Sequence, residues 1–97
     1  MFSEKTYITI THLDFYGGHT IFRVGDILHL EKEKDNPYDD EAIIAFLHGS
    51  KCGYVANSVY SVARGTQSAG RIIDKIQQNA QCKVLFITED LLIAELI

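Results

Sequence analysis

Asp35-Asn36-Pro37-Tyr38-Asp39-Asp40-Glu41-Ala42-Ile43 holds the only proline of the chain and separates two segments that read as β-strands. Asn at the first position and Pro at the second suit a type I turn, because the proline ring already carries the required φ. The strand before it spans Asp26 to Lys34, with Leu28 and Leu30 inward and Glu31 and Glu33 outward. The strand after it, Ala42 to His48, is almost wholly apolar. Such a strand is buried on both sides, by a closing sheet or a covering helix.

Working outward, Lys5 to Leu13 alternates, with Ile8 and Ile10 on one face and Tyr7, Thr9 and Thr11 on the other. That period of two predicts a first strand. A long loop with the Gly17-Gly18 pair follows, up to Gly25. Gly49-Ser50 predicts a tight hairpin into a fourth strand, Lys51 to Ala56. Asn57 suits the N-cap of a helical turn whose Val59, Val62 and Ala63 share a face, with Gly65 as its stop. A second helix, about Ser68 to Asn79, places Ala69, Ile72, Ile73 and Ile76 on one stripe. Strands Gln81 to Thr88 and Leu91 to Leu96 close the chain as a hairpin through Glu89-Asp90. The fold expected is mainly β within an α+β class: a small, partly closed, six-stranded barrel with two short helices between strands four and five.

Three blocks carry a family resemblance. Phe15-Tyr16-Gly17-Gly18, the Asn36-Pro37-Tyr38-Asp39 run and Cys52-Gly53-Tyr54-Val55 stand in the order and approximate spacing of the HIRAN family, over about Ile8 to Ile93. The resemblance implies an OB-like β-barrel with a helical insertion. It also implies a pocket for the free 3′ end of a single DNA strand, in which a carboxylate receives the terminal hydroxyl and aromatics stack on the end nucleotides. Asp39 and Tyr38 match that pair residue for residue, and Phe15 and Tyr16 fill the aromatic block. Tyr54 stands where the family has an aromatic or histidine. The sequence departs from the pattern twice. Asp14 replaces a basic residue that meets phosphate, and Asn57-Ser58 occupy a turn where DNA-end binders carry lysine. A carboxylate at position 14 repels phosphate by up to about 1 kcal/mol at an exposed site.

Bulk composition sets limits. With 97 residues, 46 % hydrophobic and 23 % charged, the chain has room for a single globular domain spanning 1–97. No apolar run approaches the roughly 20 residues that span a bilayer, and Met1-Phe2-Ser3-Glu4-Lys5 lacks the charge and apolar pattern of a leader. A cytoplasmic protein with no membrane partner is expected, its two cysteines, Cys52 and Cys82, buried and reduced. The formal charge of −4 opposes indiscriminate polyanion binding. Positive charge at a groove has to come from Lys32, Lys34, Lys51, Arg23, Arg64, Arg71 or Lys75.

Each candidate also has a purely structural account. Asp39 suits capping of the turn through backbone amides, with Tyr38 packed on the barrel. Tyr16 suits loop packing, and Asn57 its N-cap. Lys32 and Lys34 could flank the pocket or form a solvated edge with Glu31 and Glu33. Gly53 reads as a close backbone approach. An EF-hand starting at Asp35 fails, because its sixth and twelfth places hold Asp40 and Phe46. His12, His19, His29 and His48 show no metal-ligand spacing, so no cofactor, zinc included, is expected. No nucleophile elbow or P-loop occurs.

The leading expectation is a non-catalytic domain of the DNA-repair type that binds single-stranded DNA 3′ ends or damaged DNA. Its nucleic-acid contacts are expected from Phe15, Tyr16, Asn36, Tyr38, Asp39, Tyr54 and Asn57, with Lys32 and Lys34 at the flank. The resemblance is to domains at the front of Swi/Snf-type ATPases, so remodelling here would call on a separate helicase or ATPase. The alternative is a protein-interaction module that kept the fold and lost the groove. A hydrolase using the carboxylates of Asp35, Asp39 and Glu41 is the remaining rival.

Overall fold

The computed structural model describes residues 5–97, and the stretch read above for a leader lies almost wholly outside it. Six strands alternate their side chains between an interior and an exterior: β1 (Tyr7–Thr11), β2 (Ile27–Lys32), β3 (Ile43–Leu47), β4 (Ser50–Val55), β5 (Asn79–Ile87) and β6 (Leu92–Leu96). They pair antiparallel in the cyclic order β1-β4-β3-β2-β5-β6, with β6 returning to β1, so the barrel is closed all the way round. Among the described residues every strand has a paired neighbour on both sides. Ile8, Ile10, Leu28, Leu30, Ile43, Ala45, Val84, Leu92 and Ala94 fill the interior, and all are buried. Free Cys52 and Cys82 lie in the same core, where burial pushes both thiols up to about 12.

β3 has the two-sided burial that its composition requires. Ile44 faces outward yet is only 7 % exposed, flanked in the ladder by Glu31 of β2 and Tyr54 of β4. The hairpin into β4 differs by one residue from expectation. Leu47 pairs with Ser50, so the loop is His48-Gly49, with φ of 51° and 85°. Positive φ at both central residues is the type I′ geometry, whose twist matches the flanking strands.

Between β4 and β5 the helices are shorter than their patterns predict. Asn57 to Gly65 forms one turn, closed by Val62 N–H to the Ser58 carbonyl at 2.9 Å. Ser58, not Asn57, caps it, its Oγ accepting from Tyr60 N–H at 3.1 Å. Val59 is 86 % exposed and shares no buried face. The cause is competition from β1. Buried Thr9 binds Ala63 N–H at 3.1 Å and the Thr66 hydroxyl at 2.8 Å, while its carbonyl accepts from Ala56 N–H. Those bonds pull the segment flat against the strand before a second turn can form.

The second helix is α1 (Ala69–Ile72), capped by Ser68 Oγ on Arg71 N–H at 3.3 Å. Its apolar stripe is as expected: Ala69, Ile72 and Ile76 are buried and Ile73 packs against the core. It runs for only four residues, and Gln78 beyond it is hydrogen-bonded to β2. Lys32 N–H donates to the Gln78 carbonyl at 3.3 Å, and Gln78 Nε2 donates to the Lys32 carbonyl at 3.0 Å. Asn79 is therefore already in β5, opposite Glu31.

Candidate nucleic-acid groove

The side chains singled out in the Asp35–Glu41 loop organise that loop first. Asn36 Oδ1 accepts from Tyr38 N–H at 2.9 Å and Asp39 N–H at 3.1 Å, an Asx turn of the kind these residues favour. Asn36 Nδ2 donates to Glu33 Oε1 at 2.8 Å. Asp39 Oδ1 accepts from Glu41 N–H at 2.9 Å, which fixes the direction of the carboxylate. The capping account of Asp39 is therefore correct, and it leaves the second carboxylate oxygen without a protein hydrogen bond among the described residues.

Tyr54 is set beside this loop by β4. Its hydroxyl donates to Glu33 at 3.0 Å, so one carboxylate holds both Tyr54 and Asn36. Burial first, and the Glu33 carboxylate second, push the Tyr54 phenol up to about 12. Gly53 makes the approach of β4 to β1 possible. A Cβ there would meet the Thr11 carbonyl oxygen at 2.6 Å and Ile10 Cγ2 at 2.8 Å, as the sequence reading of that glycine requires.

An aromatic wall forms where β1 ends. His12 takes a positive φ of 64° and starts a single 3₁₀ turn, Leu13–Phe15. His12 and Phe15 centroids are 5.9 Å apart, His12 and Tyr54 6.0 Å in an edge-on pair, and Tyr16 and Tyr54 6.4 Å. These four rings line a hollow of about 310 Å³. Phe15 is 77 % exposed at its rim, whereas Tyr16 is half-buried in it. A second hollow, of about 230 Å³, is lined by Asp39, Asn57, Ser58 and Ser61, and again by His12 and Tyr54. The shared residues make the two hollows one groove, aromatic at one end and carboxylate-bearing at the other.

Asn57 in that groove is not a helix cap. Its Nδ2 donates to Glu41 Oε1 at 3.0 Å and its Oδ1 accepts from Gly70 N–H at 2.8 Å, tying the Asp39 loop to α1. Tyr38 does not pack on the barrel: it is 96 % exposed and lines neither hollow. Lys32 and Lys34 also line neither hollow. Asp14 is exposed within the 3₁₀ turn that carries Phe15. Of the nine candidates, the fold therefore gathers Phe15, Tyr16, Tyr54, Asp39 and Asn57, with Asn36 as their support.

His12 was missed as a wall residue, although a signal existed. His12, Phe15 and Tyr16 stand at i, i+3 and i+4, the spacing that brings side chains to one side of a turn.

Comparison with known proteins agrees with this architecture. The family model of the HIRAN domain matches residues 3–87. The crystal structure of the HIRAN domain of human HLTF superposes with a TM-score of 0.68 at 19 % identity, covering 95 % of this chain and 72 % of that one. A crystal structure of a Lactobacillus plantarum protein gives a TM-score of 0.65 at 22 % identity, covering 96 % of this chain and 93 % of that one. At these identities the likeness concerns the fold. No curated protein matches the sequence.

Proposed function

The chain belongs to the HIRAN domain family, and on that premise we propose that it binds DNA by capturing the 3′ end of a single strand, without chemistry. The observation that carries the reading is the continuity of the groove: an aromatic wall and a carboxylate cleft share His12 and Tyr54. Terminal bases stack on Phe15 and its neighbours, because every base has a π face, and each such contact contributes about 1–3 kcal/mol. The 3′ hydroxyl donates to the oxygen of Asp39 that Glu41 N–H leaves free, a charge-assisted bond stronger than a neutral one. Tyr54 supports the site in its protonated form, since its phenol stays neutral far above physiological pH. Tyr38, free in solvent, reaches a strand only beyond the groove proper.

Fluorescence anisotropy with short labelled strands ending in 3′ hydroxyl or 3′ phosphate tests this at low salt. Tighter binding of the hydroxyl end, with the preference lost in Asp39→Asn, is the expected result. Equal binding of both ends by the unmutated protein would remove Asp39 from the mechanism. Phe15→Ala should weaken both ends alike.

The interaction-module reading keeps one specific support. Val59 and Tyr60, on the turn beside Ser58, are 86 % and 96 % exposed, and Asp14 puts negative charge next to the aromatic wall. Absence of any DNA binding at low salt would favour that reading. A separate ATPase partner belongs to the proposal only if DNA is bound.

A further inference from the structure

Past Asn57 the groove continues into a third hollow, of about 340 Å³, lined by Asn57, Val59, Val62, Arg64, Ser68 and Arg71 among others. Asn57 also lines the Asp39 cleft, so the two adjoin. Arg64 arrives from the turn that Thr9 holds against β1, and Arg71 from α1, so the fold brings two remote cations to one hollow. No carboxylate lines it. Neither arginine has an ion-pair partner among the described residues, where the pair found is His29 with Glu31. Glu41, which contacts the lining residue Asn57, has its Oε1 occupied by Asn57 Nδ2. Ser68 Oγ accepts from Arg71 N–H, which leaves the hydroxyl proton for another acceptor.

Two guanidinium groups around one hollow repel each other unless an anion lies between them. Their planar donor sets match phosphate oxygens in particular. We propose that the Arg64–Arg71 hollow is a phosphate subsite of the DNA groove, on the far side of Asp39 from the aromatic wall. This rests on the DNA-end reading above and extends it. Phosphate attraction is absent from the wall, where Asp14 stands, and present at the opposite end. With the bases on the wall and the 3′ hydroxyl at Asp39, the phosphate held here lies across the end of the strand. Two sources share that chemistry: a backbone phosphate of a second strand facing a recessed 3′ end, or the terminal phosphate of a strand that carries it in place of the 3′ hydroxyl.

The test uses Arg64→Gln/Arg71→Gln in the full chain. Both side chains are exposed, so the variant should melt like the parent. Anisotropy is read over a salt series with three probes: a 3′-hydroxyl strand, a 3′-phosphate strand, and a primer–template with a recessed 3′ hydroxyl. Removing a phosphate contact lowers the slope of log K against log salt by about 0.7 on a single strand and about 0.9 on a duplex. A slope loss confined to the 3′-phosphate strand assigns the terminal phosphate. A loss confined to the primer–template assigns the second strand. In either case the Asp39-dependent preference between ends should survive the double variant. Unchanged slopes with all three probes overturn the subsite.

If the unmutated protein binds none of the probes, the DNA-end reading fails, and amide shifts with inorganic phosphate decide the hollow separately. Shifts at Gly65, Ser68 and Arg71 that vanish in the double variant keep it as a phosphate site. Their absence overturns it.

Discussion

Two loops flank Asp39, and they are held in opposite ways. Asp35–Glu41 is held by itself: Asn36 Oδ1 serves two amides, Asp39 Oδ1 serves a third, and every partner lies within three residues. Asn57–Ser68 is held from outside. Besides its own turn bonds around Ser58 and Ala63, it is tied at Ala63, Thr66 and Gln67 to Thr9 and Tyr7 of β1, more than fifty residues earlier. The bonds that shape the first loop are therefore mostly local, whereas the second also depends on contacts from the barrel strand beneath it. The groove between them has one lip held mainly by local bonds and one tied also to the strand beneath it. Asn57 and Glu41 are the single stitch across.

Removing the outside support should have the largest effect. Thr9→Val keeps the shape of a fully buried side chain but strands Ala63 N–H, at a cost of about 2 kcal/mol. Hydrogen exchange should accelerate at Val62 and Ala63 and stay slow at Asp39 and Glu41. Equal acceleration in both loops would break the comparison. Asn36→Ala attacks the self-contained loop and should cost about 1 kcal/mol, since water reaches part of the freed groups. Here exchange should rise at Tyr38 and Asp39 while Ala63 is unaffected.

Gly70→Ala addresses the stitch. A Cβ there would come within 2.7 Å of Glu41 Oε1, the mobile end of a side chain. Loss of the Asn57–Glu41 bond is offset by the better helix propensity of alanine, so stability should change by less than about 0.5 kcal/mol. The side-chain amide signal of Asn57 should nevertheless move, and an unmoved signal would show that the lips are joined in some other way.

The smallest effect at neutral pH concerns Tyr54. Its folded phenol is raised from 10.0 to about 12, so its contribution to stability is complete below pH 10 and is lost as pH rises toward 12. Ultraviolet titration should place the phenolate transition high in the parent and lower in Glu33→Gln, although burial will hold part of the shift.

The legible parts of the molecule are those whose partners are close in sequence. The Asn36-Pro37 turn, the capping role of Asp39 and the alternation of Ile8 with Ile10 and Leu28 with Leu30 each need only neighbours to be read. The same logic explains the failures. Val59, Val62 and Ala63 have helical spacing, but Thr9 outbid the helix for the Ala63 amide. The pattern of Ser68 to Asn79 is apolar at the right intervals, yet α1 runs for only four residues and Gln78 is hydrogen-bonded to Lys32 at the end of β2. Tyr38 and Tyr54 look alike as aromatic candidates beside glycine or proline. One stands in solvent and the other in the groove wall, because only Tyr54 has a strand to hold it and Glu33 to receive its hydroxyl.

By itself the sequence determined a six-stranded barrel, a self-capped Asn36–Glu41 loop and membership of the HIRAN family, because strand period, turn chemistry and motif order are local properties of a chain. Tertiary structure alone decided that His12 completes the aromatic wall, that Lys32 and Lys34 stay outside the groove, and that Arg64 and Arg71 share a hollow. Those are facts about which distant segments meet when the barrel closes. Charge and ring positions along a chain carry no record of that meeting, because it is fixed by the register of strands that pair far apart in sequence.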